Sequence, residues 1–125
     1  MLGKVVGFIP TKRPDLAKSF YAETLGLRFL ADEPFALVFE SSGTMLRIQK
    51  LPDSQPFTPG ENTLIGWEID DIESEVKALS QKGVPFQRFP GMEQDAFGIW
   101  KSPSGAKVAW FKDPDGNNLS LTQWP

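Results

Sequence analysis

The sequence predicts an α+β fold made of two βαβββ modules, and three observations carry that prediction. Short β-branched and aromatic runs, bounded by Gly, Pro, Asp and Ser, surround only two stretches of helical periodicity. The order strand, helix, strands occurs on both sides of a proline-rich connector. The apolar stripes of the two helices align at one offset of about 56 residues, Leu16 with Ile72 and Phe20 with Val76, as in a duplicated unit.

The elements follow in order. Residues 4–9 are β-branched and aromatic between Gly3 and Pro10, which predicts a strand. Pro14 suits a first helical position, Leu16 and Phe20 share a face at i, i+4 spacing, as do Ala17 and Tyr21, and Gly26 is the expected stop. Residues 27–31, 35–40 and 44–50 read as three strands separated by Asp-Glu-Pro and Ser-Ser-Gly turns. The connector 51–61 holds three prolines and joins modules of about 1–50 and 62–125 in a single domain, 1–125. In the second module, residues 63–69 read as a strand. Asp70 is the expected N-cap, with Glu73 three positions on as in a capping box. Ile72, Val76 and Leu79 form an apolar helix face that Gly83 ends. Residues 84–89, 98–102, 107–112 and 118–123 read as strands, with Asp113-Pro114-Asp115-Gly116-Asn117 turning between the last two through Asx hydrogen bonds.

Composition excludes several chemistries. The chain has no histidine and no cysteine, which removes the commonest metal ligand, the commonest base near neutral pH, and every thiolate. Ser and Thr hydroxyls have no His to activate them, and Gly3-Lys4-Val5-Val6-Gly7 does not match a phosphate loop. A net charge of −3 argues against nucleic acid and anionic membrane as partners. The longest apolar run, residues 35–39, is far shorter than the roughly 20 residues that span a bilayer. The N-terminus carries no signal-like cleavage region, so the expected compartment is the cytoplasm.

Three segments carry a family resemblance. They are Asp15-Leu16-Ala17-Lys18-Ser19-Phe20-Tyr21 followed by Thr24-Leu25-Gly26-Leu27, then Trp67-Glu68-Ile69-Asp70-Asp71-Ile72, and Phe111-Lys112-Asp113-Pro114-Asp115-Gly116-Asn117 before a final strand. In this order and spacing the chain resembles the vicinal oxygen chelate superfamily, which includes glyoxalase I, extradiol dioxygenases, and fosfomycin and bleomycin resistance proteins. The resemblance implies that each module curls its mixed sheet into a half-open cup, and that a chain of this length pairs as a homodimer.

The resemblance also implies where a metal would be held, on inward faces of four strands. Carried onto this sequence, those positions are Val6, Arg47, Leu64 and Ser120. Leu64-Ile65-Gly66-Trp67-Glu68 stands where His-x-x-Phe-Glu is expected, and Asn117-Asn118-Leu119-Ser120-Leu121 where Asn-x-x-Glu-Leu is expected. Internal symmetry pairs Leu119-Ser120-Leu121 with Leu46-Arg47-Ile48. Valine and leucine donate nothing, serine is a weak ligand, and arginine repels a cation, so the expectation is no metal and no cofactor.

Strand alternation sends Met45, Arg47 and Gln49, then Leu64, Gly66 and Glu68, then Asn118, Ser120 and Thr122, toward the cup. Arg47 suits a carboxylate or phosphate held bidentately, or else an internal ion pair with Glu68 or Glu40. Trp100, Trp110, Phe39 and Phe97 are candidate aromatic walls, with ordinary core as the alternative for each, and Trp124 suits a surface or dimer contact. The segment 90–97 reads as a lid or a static loop, and Glu68 is the one candidate for a catalytic base. The reading is metal-free binding of a small organic molecule, with Arg47, Gln49 and Ser120 orienting its polar groups. Its rivals are a lyase, isomerase or dioxygenase with an atypical metal site, and a non-catalytic regulatory or structural dimer.

Overall fold

Alternation along the strand-forming stretches gives every strand one apolar row, and pairing aligns those rows into sheet faces. The computed structural model describes residues 1–125, which divide into two units. The first comprises Met1–Pro59 with Pro114–Gly116, and the second Gly60–Asp113 with Asn117–Pro125. No helix is long and apolar enough to cross a membrane.

In the first unit, strands β1 (Val6–Thr11), β2 (Arg28–Asp32), β3 (Ala36–Ser41) and β4 (Thr44–Lys50) form a sheet of order β1-β4-β3-β2. β1 runs parallel to β4, and the other pairs are antiparallel. Pro10 is tolerated because β1 is an edge strand with one ladder partner. Helix α1 (Pro14–Ser19) continues into a π-helical turn, Phe20–Thr24, and stops at Gly26, whose φ of +72° suits a residue without Cβ. Ile9, Leu37, Phe39, Leu46 and Ile48 are buried on the helix side of the sheet, with Ala17 and Tyr21 from the helix. The buried helical stripe is therefore Ala17 and Tyr21. Leu16, from the other i, i+4 pair, is 54% exposed. Tyr21 fixes this choice by packing its ring against Phe39.

In the second unit, β5 (Ile65–Glu68), β6 (Trp100–Lys101), β7 (Lys107–Lys112) and β8 (Asn118–Gln123) repeat the topology as β5-β8-β7-β6, with β5 parallel to β8. Helix α2 (Ile72–Gln81) buries Ile72, Val76 and Leu79. Its cap is Asp71, one residue later than expected. The Asp71 carboxylate accepts from Ser74 N at 3.2 Å and Ser74 Oγ at 2.9 Å, so the capping box through Asp70 and Glu73 does not form. The helix ends in a Schellman pattern, with Val84 N donating to Leu79 O and Gly83 N to Ser80 O.

The expected strand at 84–89 is absent. In place of a ladder, a Phe86–Phe111 bridge and a Gln87 N to Trp110 O bond tie its backbone to β7. Pro85 removes one donor, and the Gln94 side chain takes the place of a ladder. Gln94 Oε1 accepts from Phe89 N, and Nε2 donates to Gln87 O and Gly98 O.

The two sheets share a register. Gly7, Leu46 and Phe39 align across the first as Ile65, Leu119 and Phe111 align across the second. One row further along, Phe8, Arg47 and Val38 correspond to Gly66, Ser120 and Trp110. The turn residues differ from expectation in one respect. Asp113 makes the local bonds, accepting from Asn117 N and Nδ2 at 2.9 Å each, whereas Asp115 accepts from Thr11 Oγ1 and from Lys12 N at 2.7 Å and secures the end of β1.

Candidate functional site

Each sheet has one face covered by its helix and one facing away from it, and the candidate side chains sort between these faces. In the first unit, Arg47 and Gln49 lie on the face away from α1, in ladder rows with Phe8 and Ala36. These four residues and Phe35 line a cavity of about 180 Å³. Phe8 and Phe35 are 57% and 78% exposed, an unusual placement for large rings that leaves apolar walls beside a guanidinium. Arg47 Nη2 donates to Glu33 Oε1 at 2.9 Å. The ion pair raised by the sequence thus forms with Glu33, and not with Glu40 or Glu68. Glu40 is engaged by Arg28 at 3.2 Å and by Gly43 N at 3.1 Å. Glu33 belongs to the link between β2 and β3, so no strand periodicity pointed to it.

Phe39 does not wall a site. It is fully buried on the helix side of its sheet, between Tyr21 (6.0 Å) and Phe29 (5.3 Å). Its neighbours along the strand, Val38 and Glu40, point the other way, which is the parity the alternation requires.

In the second unit, Trp100, Trp110 and Ser120 share the face away from α2. Trp110 stands 6.1 Å from Trp100 and edge-on to Phe89 at 5.4 Å, and its Nε1 donates to Thr63 Oγ1 at 3.0 Å. The rings are thereby held in place before any ligand arrives. Ser120 is 6% exposed, and its Oγ lies so close over Gly66 that a side chain there would collide with it. Asn118, on the same face, donates to Glu61 O, and its buried Oδ1 has no partner. Glu68 is exposed at the end of β5, opposite Thr122 in the ladder.

The other aromatic and the loop lie elsewhere. Phe97 sits under Lys77 of α2, 4.9 Å from the ammonium, on the helix side. The segment 90–97 is tied by Asp95 Oδ1, which accepts from Phe97 N and Ile99 N, and by Arg88, which donates to Ala96 O. Sequence reasoning missed a larger cavity in this unit, about 740 Å³, beside the start of α2. Lys101, Lys107 and Gln123 lie on its sheet side, and Asp70, Glu73 and Glu93 on its rim.

A divalent metal does not fit the four positions named from the family resemblance. Val6 and Leu64 present hydrocarbon, Arg47 presents a cation already paired to Glu33, and Ser120 presents one hydroxyl. No three carboxylates converge anywhere else in the chain to hold one. Two carboxylates are acidified by their neighbours: Asp32 by the Lys50 ammonium it bonds, and Asp71 by the Ser74 hydroxyl and amide. Neither lies on an open face with the candidate residues.

Residues 2–121 match the model of the Glyoxalase/Bleomycin resistance protein/Dioxygenase superfamily. A member of that superfamily from Sphaerobacter thermophilus is 26% identical, with 98% of each chain covered and a TM-score of 0.73. The antibiotic binding protein TnmS3 from Streptomyces sp. CB03234 is 25% identical over 100% of this chain and 98% of that one, with a TM-score of 0.71. A putative glyoxalase family protein from Bacillus anthracis, 16% identical over 100% of this chain and 97% of that one, shares the fold at a TM-score of 0.76. No curated protein matches the chain.

Proposed function

Because the chain belongs to the glyoxalase/bleomycin resistance protein/dioxygenase superfamily, we propose that it binds a small organic molecule without a metal and without covalent chemistry. The observation that carries the reading is Arg47, a half-buried cation among Phe8, Phe35 and Ala36 at a position where related proteins place a metal ligand. A guanidinium in apolar surroundings holds a carboxylate or phosphate more strongly than one in open water, because solvent screens it less. Gln49 adds a donor and an acceptor beside it. Ser120, with Trp100 and Trp110, supplies a second set of ligand-binding side chains on the face of the other unit that points away from α2. The likeness to an antibiotic-binding protein supports a mode of action that needs only affinity. The proposal includes a cytoplasmic homodimer. Absence of cysteine suits a reducing compartment, and exposed Val5 and Trp124 offer apolar surface to a second copy.

The test is a thermal-shift screen of small carboxylates, phosphates and glycopeptide drugs against the wild type and Arg47→Ala, with metal analysis of protein purified without a histidine tag. Anionic ligands should raise the wild-type midpoint and leave that of the variant unchanged. Stoichiometric tight metal that is lost on mutating Glu68 refutes the reading in favour of a metalloenzyme.

A further inference from the structure

We propose that Glu33 is a built-in competitor at the Arg47 cavity, which makes the site selective for a small monocarboxylate able to displace it. The inference rests on the reading of Arg47 as a ligand-binding residue and names the ligand class and the gate. Three carboxylates lie along β2, β3 and the link between them, and each has its own cation. Asp32 takes Lys50, Glu40 takes Arg28, and Glu33 takes Arg47. Arg47, the cation of the Glu33 pair, lines the cavity with Phe8 and Phe35.

The two partners are unequal. The Arg47 side chain is 29% exposed and rooted in the middle of β4, whereas that of Glu33 is 46% exposed and stands in the link between strands. The backbone of that link is fixed, with Glu33 N donating to Ala36 O and Lys50 N donating to Phe35 O, at 2.8 Å each. The Glu33 carboxylate is therefore free to swing into water by rotation of its own side chain, without moving the walls formed by Phe35 and Phe8. The permanent resident of the cavity is the cation, since a guanidinium stays charged at all working pH values. A cavity of about 180 Å³ admits roughly six water-sized groups, enough for one ring or a short chain bearing a single carboxylate. The ligand carboxylate replaces the Glu33 carboxylate on the guanidinium, and no bond or proton is transferred.

The test is calorimetric titration of benzoate and of its neutral isostere benzamide into the wild type, Glu33→Gln and Arg47→Ala. Glu33→Gln should bind benzoate about two- to fivefold tighter than the wild type, the range of a partly exposed ion pair, with benzamide unchanged. Arg47→Ala should lose benzoate. If Glu33→Gln binds benzoate no tighter than the wild type, the competitor role is overturned while the Arg47 reading stands. If benzoate binds none of the three proteins, or binds Arg47→Ala as well as the wild type, the Arg47 reading fails and the gate fails with it.

Discussion

Truncating Phe39 to alanine should destabilise the protein by about 3–5 kcal/mol, the range for removing a fully buried ring from a packed core. The ring is inaccessible, and both Tyr21 and Phe29 lose an aromatic partner when it is removed. The surrounding strand cannot collapse into the gap, because β3 is held between β2 and β4 by ladders on both sides. Phe8→Ala is the matched control. It removes the same ring from the opposite face of the same sheet, where 57% of the residue is already in water, and should cost no more than about 1 kcal/mol. Urea titration followed by tryptophan fluorescence reads both, as a lowered midpoint at unchanged slope. At about 3–5 °C per kcal/mol for a chain of this size, the melting temperature should fall by roughly 10–20 °C for Phe39→Ala and by only a few degrees for Phe8→Ala. Equal losses for the two variants would refute the assignment of the sheet faces, and with it the placement of Arg47 on the open side.

Further expectations follow from the second unit and from the acidified carboxylates. Asp71→Ala should cost about 1 kcal/mol in urea unfolding, as loss of an N-cap does, while Asp70→Ala should cost almost nothing; the reverse order would restore the capping box. Asp32 and Asp71 are both held below the ordinary carboxylate pKa in the folded chain. Their contributions are thus fully present above about pH 4, the unfolded value, and lost as pH falls through the lowered folded values. Midpoints measured from pH 6 to pH 2 should therefore fall less steeply in the Asp32→Asn, Asp71→Asn double variant than in the wild type. Gln94→Leu should cost about 2–3 kcal/mol and expose the Phe89 amide to hydrogen exchange, because one side chain serves Phe89 N, Gln87 O and Gly98 O. An unchanged exchange rate at Phe89 would show that the segment is held by something else.

How much of this was legible in the residues depended on the range of the force involved. Gly26 and Gly83 were readable as helix stops because positive φ is a local steric demand, met where the chain needs it. Ile72, Val76 and Leu79 were readable because their period matches a helix with one buried face. Leu16 against Ala17 was not decidable, since both stripes have the same i, i+4 spacing, and the ring of Tyr21 against Phe39 made the choice. Asp70 and Asp71 are equally good caps by type. Gln123 Oε1, arriving from the end of β8 to accept from Ile72 N, helps set the start at the later one. Residues 84–89 have strand composition, yet a glutamine farther along the chain satisfies their backbone groups.

The candidate site divides along the same line. Parity along β4 and β8 placed Arg47 and Ser120 on the faces away from the helices, and the absence of histidine and cysteine removed the usual metal donors, both from sequence alone. Phe39 was named only for its aromatic type, and of its two readings, cup wall or ordinary core, the structure has core. The pairing of Arg47 with Glu33, and the cavity enclosed by Phe8 and Phe35, came only with tertiary structure. Alternation and capping act between residues a few positions apart and so are written in order along the chain. Ion pairs and cavities join residues that only folding brings together, and no periodicity records them.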